Sequence, residues 1–495
     1  MFSVIPLKPT KIFYKPKSLF FSAVIASVFY SVVVTKLGLY KYYETAINYV
    51  PRTEIPEFGS NLNRLAINGL YIVLTVIYTI WLLQALNKSS ISEPRQNNFK
   101  TILKIGLPFL LIALVTYPFS RDIYLYLHYG LMALKGINPY LVTVNTFNSG
   151  LNPLHNWISE EITTAYGPVG IMIFMPASTL LNISPVLGVY AFKVLCLLCH
   201  IGNTYFIWRL LRTSQNCQIL TFAYLVNPLI LIEHVSDAHI DVFISLSLIA
   251  FIGFLYKKSY IFAILAALVG FLIKTLPLLC IPLAVCFLLG KRRFIDILLS
   301  LILSLIIIAG FSVTILPTPE TWLSFISPDL GGVANSIHHF LDILLIYVPV
   351  VSSSSRIAII TNLSLITTLG FLVYYAWQCL RLWFNPSVTE RDVVLSFAWS
   401  IFALILFARA WVMPWYITNL LCITVLCFDA SLFVLTTLTY SLTIRFIFTE
   451  GAGRGLLSLV TTLSRLLPSM YVLSFGHARS EQLMGKLLGN EIVDS

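Results

Sequence analysis

Hydrophobic and polar positions alternate along this chain in long blocks rather than with a short period. Apolar runs lie near 18–40, 67–86, 101–118, 186–209, 218–233, 241–256, 259–273, 275–290, 295–316, 357–379, 393–410, 412–428 and 431–448. Each is long enough, or nearly so, to cross the ~30 Å hydrocarbon layer as a helix. Two further runs, 168–182 and 340–352, are shorter or broken, the first bounded by Tyr166-Gly-Pro and by Asn182-Ile-Ser-Pro. These two are expected to dip into the membrane or lie at its interface. The pattern predicts an all-α polytopic membrane protein with about thirteen transmembrane helices. It also predicts one transmembrane domain over 1–475, followed by a polar tail at 476–495. The longest early polar excursion, 119–167, forms a first large loop. Within it, Ile123 to Lys135 reads as an amphipathic helix lying along the membrane surface. Gly136 ends that helix and Asn138-Pro139 turns the chain.

Composition narrows the class. Of 495 residues, 58% are hydrophobic and 11% charged, with mean hydropathy +0.86. So few charges cannot sheathe a soluble core of that size, so lipid is the solvent for most of the surface. The net charge of +11 does not point to nucleic acid, because Lys and Arg sit in short clusters between apolar runs. Lys8, Lys11, Lys15 and Lys17 precede a run of full spanning length without a small-residue cleavage site, which predicts a retained first helix. Most of the cysteines lie inside apolar runs. Cys196-Leu-Leu-Cys199-His200 has the spacing of haem attachment, but it falls mid-run and reads as helix packing.

With the N-terminus in the cytoplasm and the two short runs not crossing, about sixteen basic residues collect inside against about seven outside. Asp122, Tyr166-Gly-Pro, His234 to Asp241, His338-His339 and Arg409 to Trp415 then share the outer side. That face is expected to carry the chemistry.

Asp122 stands first among the candidates. A carboxylate at the membrane boundary is costly unless used, and the neighbouring Arg121 points about 100° away on a helix. Asp122 is suited to act as a general base on an acceptor hydroxyl, leaving Arg121 for a phosphate oxygen. The stretch Glu233-His-Val-Ser-Asp237-Ala-His239-Ile-Asp241 is second. On a continuous helix its three acids share a face. It reads either as a divalent-cation site or as a clamp for sugar hydroxyls. In Arg409-Ala-Trp411-Val-Met-Pro-Trp415-Tyr, Arg409 and the two indoles suit a pocket wall for a phosphate and a sugar ring. Lys274 is misplaced under the positive-inside rule and is a candidate phosphate ligand. The His338-His339 pair reads as structural.

Six short motifs then carry a resemblance: Asp122-Ile-Tyr-Leu-Tyr126, Gly136-Ile-Asn138-Pro-Tyr140, Tyr166-Gly-Pro168, Asn227-Pro-Leu with Ala238-His239-Ile-Asp241, Lys274-Thr-Leu-Pro277 and Pro414-Trp-Tyr416. In this order, over roughly residues 100–420, they resemble the GT-C superfamily of membrane glycosyltransferases. The likeness is to bacterial polyprenyl-phosphate-mannose-dependent mannosyltransferases. The chain departs from the pattern at Ile240, where the family carries Asn. The resemblance implies an inverting transfer of a sugar, mannose, from a polyprenyl-phosphate carrier to a glycan or glycolipid acceptor, with Asp122 as base. It implies Arg121, Lys274 and Arg409 at the phosphate and Tyr126, Asn138, Tyr140, Tyr166, Asp237, His239, Asp241, Trp411 and Trp415 lining the substrates. The residues identify no cofactor, and a divalent cation has candidate ligands in 233–241. A transporter or lipid-linked sugar flippase is the alternative, and it predicts ionisable groups near mid-span and two matching halves. A polysaccharide polymerase or ligase would share the outer-face site.

Overall fold

The computed structural model describes residues 16–46, 61–89, 98–147, 163–326, 336–348, 351–427 and 430–441, with residues 463 and 467. The expected tail at 476–495 and the middle of the first loop, 148–162, lie outside the described residues. The described chain is built of helices: α1 Pro16–Ala46, α2 Asn61–Ser89, α3 Phe99–Val115, α4 Asp122–Leu134, α5 Pro168–Ser178, α6 Pro185–Leu210, α7 Cys217–Val226, α8 Asp241–Tyr256 and α9 Tyr260–Phe271. There follow α10 Cys280–Gly290, α11 Phe294–Thr314, α12 Pro319–Ile326, α13 Ile337–Ile346, α14 Ser353–Phe384, α15 Glu390–Ala403, α16 Pro414–Thr424 and α17 Ala430–Thr436. Proline opens α5, α6 and α16 at the first turn, where its missing N–H costs nothing. The protein is all-α.

Six helices among the described residues are long and apolar enough to cross a membrane, namely those at Ser18–Glu44, Leu65–Asn87, Pro185–Leu210, Phe294–Thr314, Ser353–Phe384 and Glu390–Ala408. A seventh arises if Cys217–Val226 and Pro228–Ser236, bent by 44°, form one span. The other runs read from the sequence fold as shorter helices. Polar turns cut into them: Lys274-Thr-Leu-Pro interrupts the path from α9 to α10, and the polar stretch 233–241 separates α7 from α8.

Helix α8 sits at the centre. It packs against α6, α9 and α16, and most of its side chains are buried. At the periphery, α11 and α14 leave rows of Leu and Ile exposed. Such apolar surface is stable only against lipid or another apolar partner.

The loop helix α4 is not the surface-lying element expected. Every residue from Ile123 to Met132 is buried, and α5 lies across it. Aromatic residues recur around its whole circumference, so no polar face is left to meet water. Tyr126 stacks on Phe174 at 4.7 Å, and the Ser178 hydroxyl donates to the Leu127 carbonyl at 2.8 Å.

Candidate active site

Three irregular backbone features bring the site together. The chain leaves α7 through Asn227, whose side chain caps the turn Pro228–Leu231. It then widens into a π-turn over Ile232–Ser236 and passes Ala238 in the left-handed region, at φ 53°. A non-glycine residue there costs about 1 kcal/mol and marks backbone held by its surroundings. The widened turn overturns the continuous-helix geometry in which Glu233, Asp237 and Asp241 share a face. The three carboxylates part and each meets a different partner.

Asp237 turns to the strap before α4. Its Oδ1 accepts the backbone N–H groups of Phe119 at 2.8 Å and Ser120 at 3.2 Å. It therefore sets the start of α4 and with it Asp122. Asp122 opens that helix, with its side chain 17% exposed and so open to a reactant. Its Oδ2 lies 3.7 Å from His239 Nε2, and the Ser120 hydroxyl, 3.1 Å from the same nitrogen, accepts the Asp122 N–H at 3.3 Å. Glu233, fully buried, meets the other side of the ring at 2.9 Å from Nδ1. Trp415 stacks on the imidazole at 4.3 Å between centroids.

Asp241, the third acid, belongs to a second group. Its Oδ2 pairs with Lys274 Nζ at 3.1 Å, its Oδ1 accepts from Asn419 Nδ2 at 2.8 Å, and Asn419 Oδ1 accepts from Ser245 at 3.1 Å. The Lys274 ammonium lies 5.0 Å from the Tyr416 ring centre, 5.8 Å from Trp415 and 5.9 Å from Tyr166. Three π faces and one carboxylate thus surround a cation that is still 17% exposed. Trp415, against both His239 and Lys274, joins the two groups.

The Tyr166 strap closes one side. Gly167 donates to the Ile273 carbonyl and Val169 to the Leu272 carbonyl, at 2.9 and 3.0 Å, just before Lys274. Tyr140 donates to the Tyr166 carbonyl at 2.7 Å, and Tyr126 meets the Tyr166 ring edge-on at 5.1 Å. Burial, then the nearby Asp122 carboxylate, push the Tyr166 phenol well above its ordinary range, so it stays a neutral donor. Asn138 serves the turn after α4: its Oδ1 accepts from Tyr140 N–H and its Nδ2 donates to the Ile315 carbonyl. Gly136, at φ 73°, supplies the left-handed step that ends α4.

The structure thus brings Asp122, Tyr126, Tyr166, Asp237, His239, Asp241, Lys274 and Trp415 into two linked groups, with Arg121 beside Asp122 and with Asn138 and Tyr140 supporting them. Arg409 is exposed and Trp411 half-buried. Among the described residues no three His, Cys, Asp or Glu side chains converge as a metal site. The acids and His239 are engaged with the partners above instead.

Sequence reading missed Ser120, Asn419 and Lys193. Lys193 had a signal, a lone cation inside an apolar run. Its ammonium is fully buried and donates to four carbonyls, Thr116 and Ser236 at 2.6 Å, Val235 at 2.9 Å and Ala113 at 3.2 Å. A cation there satisfies two helix C-termini at once, that of α3 and that of the π-turn. His200 and His234, also buried, bond the Leu225 carbonyl and the Thr418 hydroxyl. These mid-bundle ionisable groups hold backbone and helices together.

Next to this end of the bundle lies a cavity of about 490 Å³ between α1, α2, α3 and α7. Its walls are mainly apolar and aromatic, with Phe20, Tyr30, Tyr78, Trp81, Phe109 and Phe222. It follows α3 from Asn98 to Thr116, which at 1.5 Å per residue is ~27 Å, close to the hydrocarbon thickness. Neither of the two short runs, 168–182 and 340–352, contributes to it.

Residues 20–290 match the family described as "Alpha-(1->6)-mannopyranosyltransferase, N-terminal domain". The chain belongs to this family. The match covers more than half of the chain and takes in Asp122, Tyr126, Tyr166, Asp237, His239, Asp241 and Lys274, while Trp415, Tyr416 and Asn419 lie beyond it. The chain is also 32% identical over 126 residues to Alpha-(1->6)-mannopyranosyltransferase A of Corynebacterium glutamicum. That alignment covers 24% of this chain and 25% of the relative, so the chain spans about a quarter of the relative's length. No solved structure matches the chain.

Proposed function

We propose that this protein is an integral membrane mannosyltransferase that uses a polyprenyl-phosphate-linked mannose and transfers the sugar to a glycan or glycolipid acceptor. The reaction inverts the anomeric centre, and the active site faces the extracytoplasmic side of the bacterial plasma membrane. Family membership supports the class of reaction. The observation that carries the reading is Asp122: a partly exposed carboxylate held at the first turn of a buried helix, linked through His239 and Trp415 to a lysine half-enclosed by aromatic rings.

In this reading Asp122 takes the acceptor's hydroxyl proton as that oxygen attacks the anomeric carbon. The bond from the sugar to the carrier phosphate breaks, and its electron pair stays on the phosphate. Lys274 offers charge to that phosphate, with Arg121 beside Asp122 and Arg409 as further candidate ligands. Trp415 and Tyr166 offer ring faces and a phenol to the sugar. The cavity along α3 supports a lipid-linked donor, because it is apolar, of membrane length, and ends at Thr116 and Ser236, next to the strap and acid that hold Asp122.

The test is mannose transfer from radiolabelled polyprenyl-phosphate-mannose in membranes, comparing wild type with Asp122→Asn. Transfer lost at unchanged protein level supports the reading. Transfer retained by the variant removes Asp122 as base. Wild-type membranes that use GDP-mannose but not the lipid-linked sugar remove the donor.

A further inference from the structure

We propose that Glu233, His239 and Ser120 form a proton exit for Asp122, one that empties the base while the substrates still cover it. The inference rests on the reading of Asp122 as base and adds three positioning residues to it.

The chemistry sets the need. When the acceptor oxygen bonds to the anomeric carbon, its proton moves to Asp122 and leaves a neutral carboxylic acid. The departing phosphate keeps the electron pair of the broken bond. Asp122 must lose that proton before the next turnover, yet the acceptor and product lie over its exposed side. A base on the protein side removes the proton without waiting for them to leave.

The geometry supplies one. The Glu233 backbone carbonyl accepts the Nδ1–H of His239 at 3.3 Å and so fixes the tautomer whose free lone pair is on Nε2, while the Glu233 carboxylate lies 2.9 Å from Nδ1. That nitrogen faces Asp122 Oδ2 at 3.7 Å and the Ser120 hydroxyl at 3.1 Å. A protonated Asp122 passes its proton to Nε2. The imidazolium is stabilised by the Glu233 carboxylate, and the half-buried Ser120 hydroxyl hands the proton on to water. The Trp415 ring, stacked at 4.3 Å, holds the imidazole plane.

The pairing is built rather than incidental. Glu233 and His239 are six residues apart, and a regular α-helix would not place their side chains face to face. The π-turn and the left-handed Ala238 do so, and the same irregularity lets the Glu233 carbonyl accept the His239 backbone N–H at 2.8 Å. Backbone distortion of this kind concentrates at functional sites. A full account of the local charge includes Arg121, His234, Asp237, Asp241 and Lys274, with the phenols of Tyr126 and Tyr166. Asp237 is committed to the strap and Asp241 to Lys274, which leaves Glu233 and Asp122 as the carboxylates on the imidazole.

The experiment measures kcat, KM and the rescue of kcat by added imidazole, at saturating donor and acceptor, for wild type, His239→Gln, Glu233→Gln and Ser120→Ala. His239→Gln is expected to lower kcat about 100-fold, with KM values near wild type. Added imidazole should restore part of that rate. Glu233→Gln removes the carboxylate beside Nδ1 and should lower kcat with KM near wild type. Ser120→Ala should lower kcat likewise, and added imidazole should not restore it. Should His239→Gln fail to accumulate in the membrane, Ser120→Ala and Glu233→Gln still read the path. Wild-type kcat in all three, or changes in KM alone, overturn the proposal. Loss of transfer in Asp122→Asn alongside such unchanged variants rejects only the exit, whereas transfer retained in Asp122→Asn rejects the base itself.

Discussion

The Lys274 ammonium lies 3.1 Å from Asp241 Oδ2, and that carboxylate's other oxygen is held by Asn419. A lysine fixed this way cannot swing out to water, but it keeps donors for a second anion. Lys274→Met should raise the KM for the lipid-linked donor at least about tenfold, with a smaller effect on the acceptor. Asp241→Asn should weaken the same step by freeing the lysine. A double-mutant cycle on donor KM should give a coupling of about 1–2 kcal/mol. Additive effects would show that the pair does not act as a unit.

Asp237 acts on a different step. Its Oδ1 satisfies two backbone N–H groups of the strap that leads into Asp122. Asp237→Ala leaves both unpaired in a half-buried place, and each orphan costs up to about 1–3 kcal/mol. Thermal unfolding of the detergent-solubilised protein should fall clearly, and transfer should fall with it. Asp237→Asn keeps an accepting oxygen and should recover most of the stability. Equal loss in both variants would point to the charge rather than to the strap.

Much of the fold was legible because lipid imposes a simple rule on sequence: apolar blocks become helices. The rule failed where side chains, not lipid, cover a helix. The aromatic residues of α4 read as a face for the membrane surface, yet they pack against Phe174 and α5. The site was legible as a set of motifs but not as pairings. Asp237 and Asp241 stood out as acids, but their partners, a backbone strap and Lys274, come from segments far away in sequence. Glu233 reads like one more carboxylate on a helical face until the π-turn points it at His239. No period in the sequence reveals a widened turn.

Lys193 tests whether a buried charge in a span is structural or part of a conduction path. It joins the ends of α3 and the π-turn through four carbonyls. Lys193→Met fills similar volume but leaves the Thr116, Val235 and Ser236 carbonyls without their charged partner, so stability should fall by at least about 3 kcal/mol. The expected signs are low abundance in membranes and an earlier melting transition. Normal stability with loss of ion or substrate flux in liposomes would favour the transporter alternative.

Gly167 gives the most local test of how the strap positions Tyr166. A Cβ built there would run into the backbone of Leu272, whose carbonyl and its neighbour at Ile273 receive the strap's N–H groups. The obstacle is backbone, not a side chain that can rotate away, so Gly167→Ala must lift the strap. Two hydrogen bonds lengthen, and Tyr166 moves off the Lys274 ammonium now 5.9 Å from its ring. A stability loss of about 1–3 kcal/mol is expected, with donor KM raised more than acceptor KM. Tyr166→Phe keeps the strap and the ring but removes the phenol. If the phenol binds the sugar, that variant should lose rate while melting like wild type. If Gly167→Ala and Tyr166→Phe instead behave alike in both stability and KM, the strap's role is to supply the phenol alone, and the cation-facing ring contributes nothing measurable.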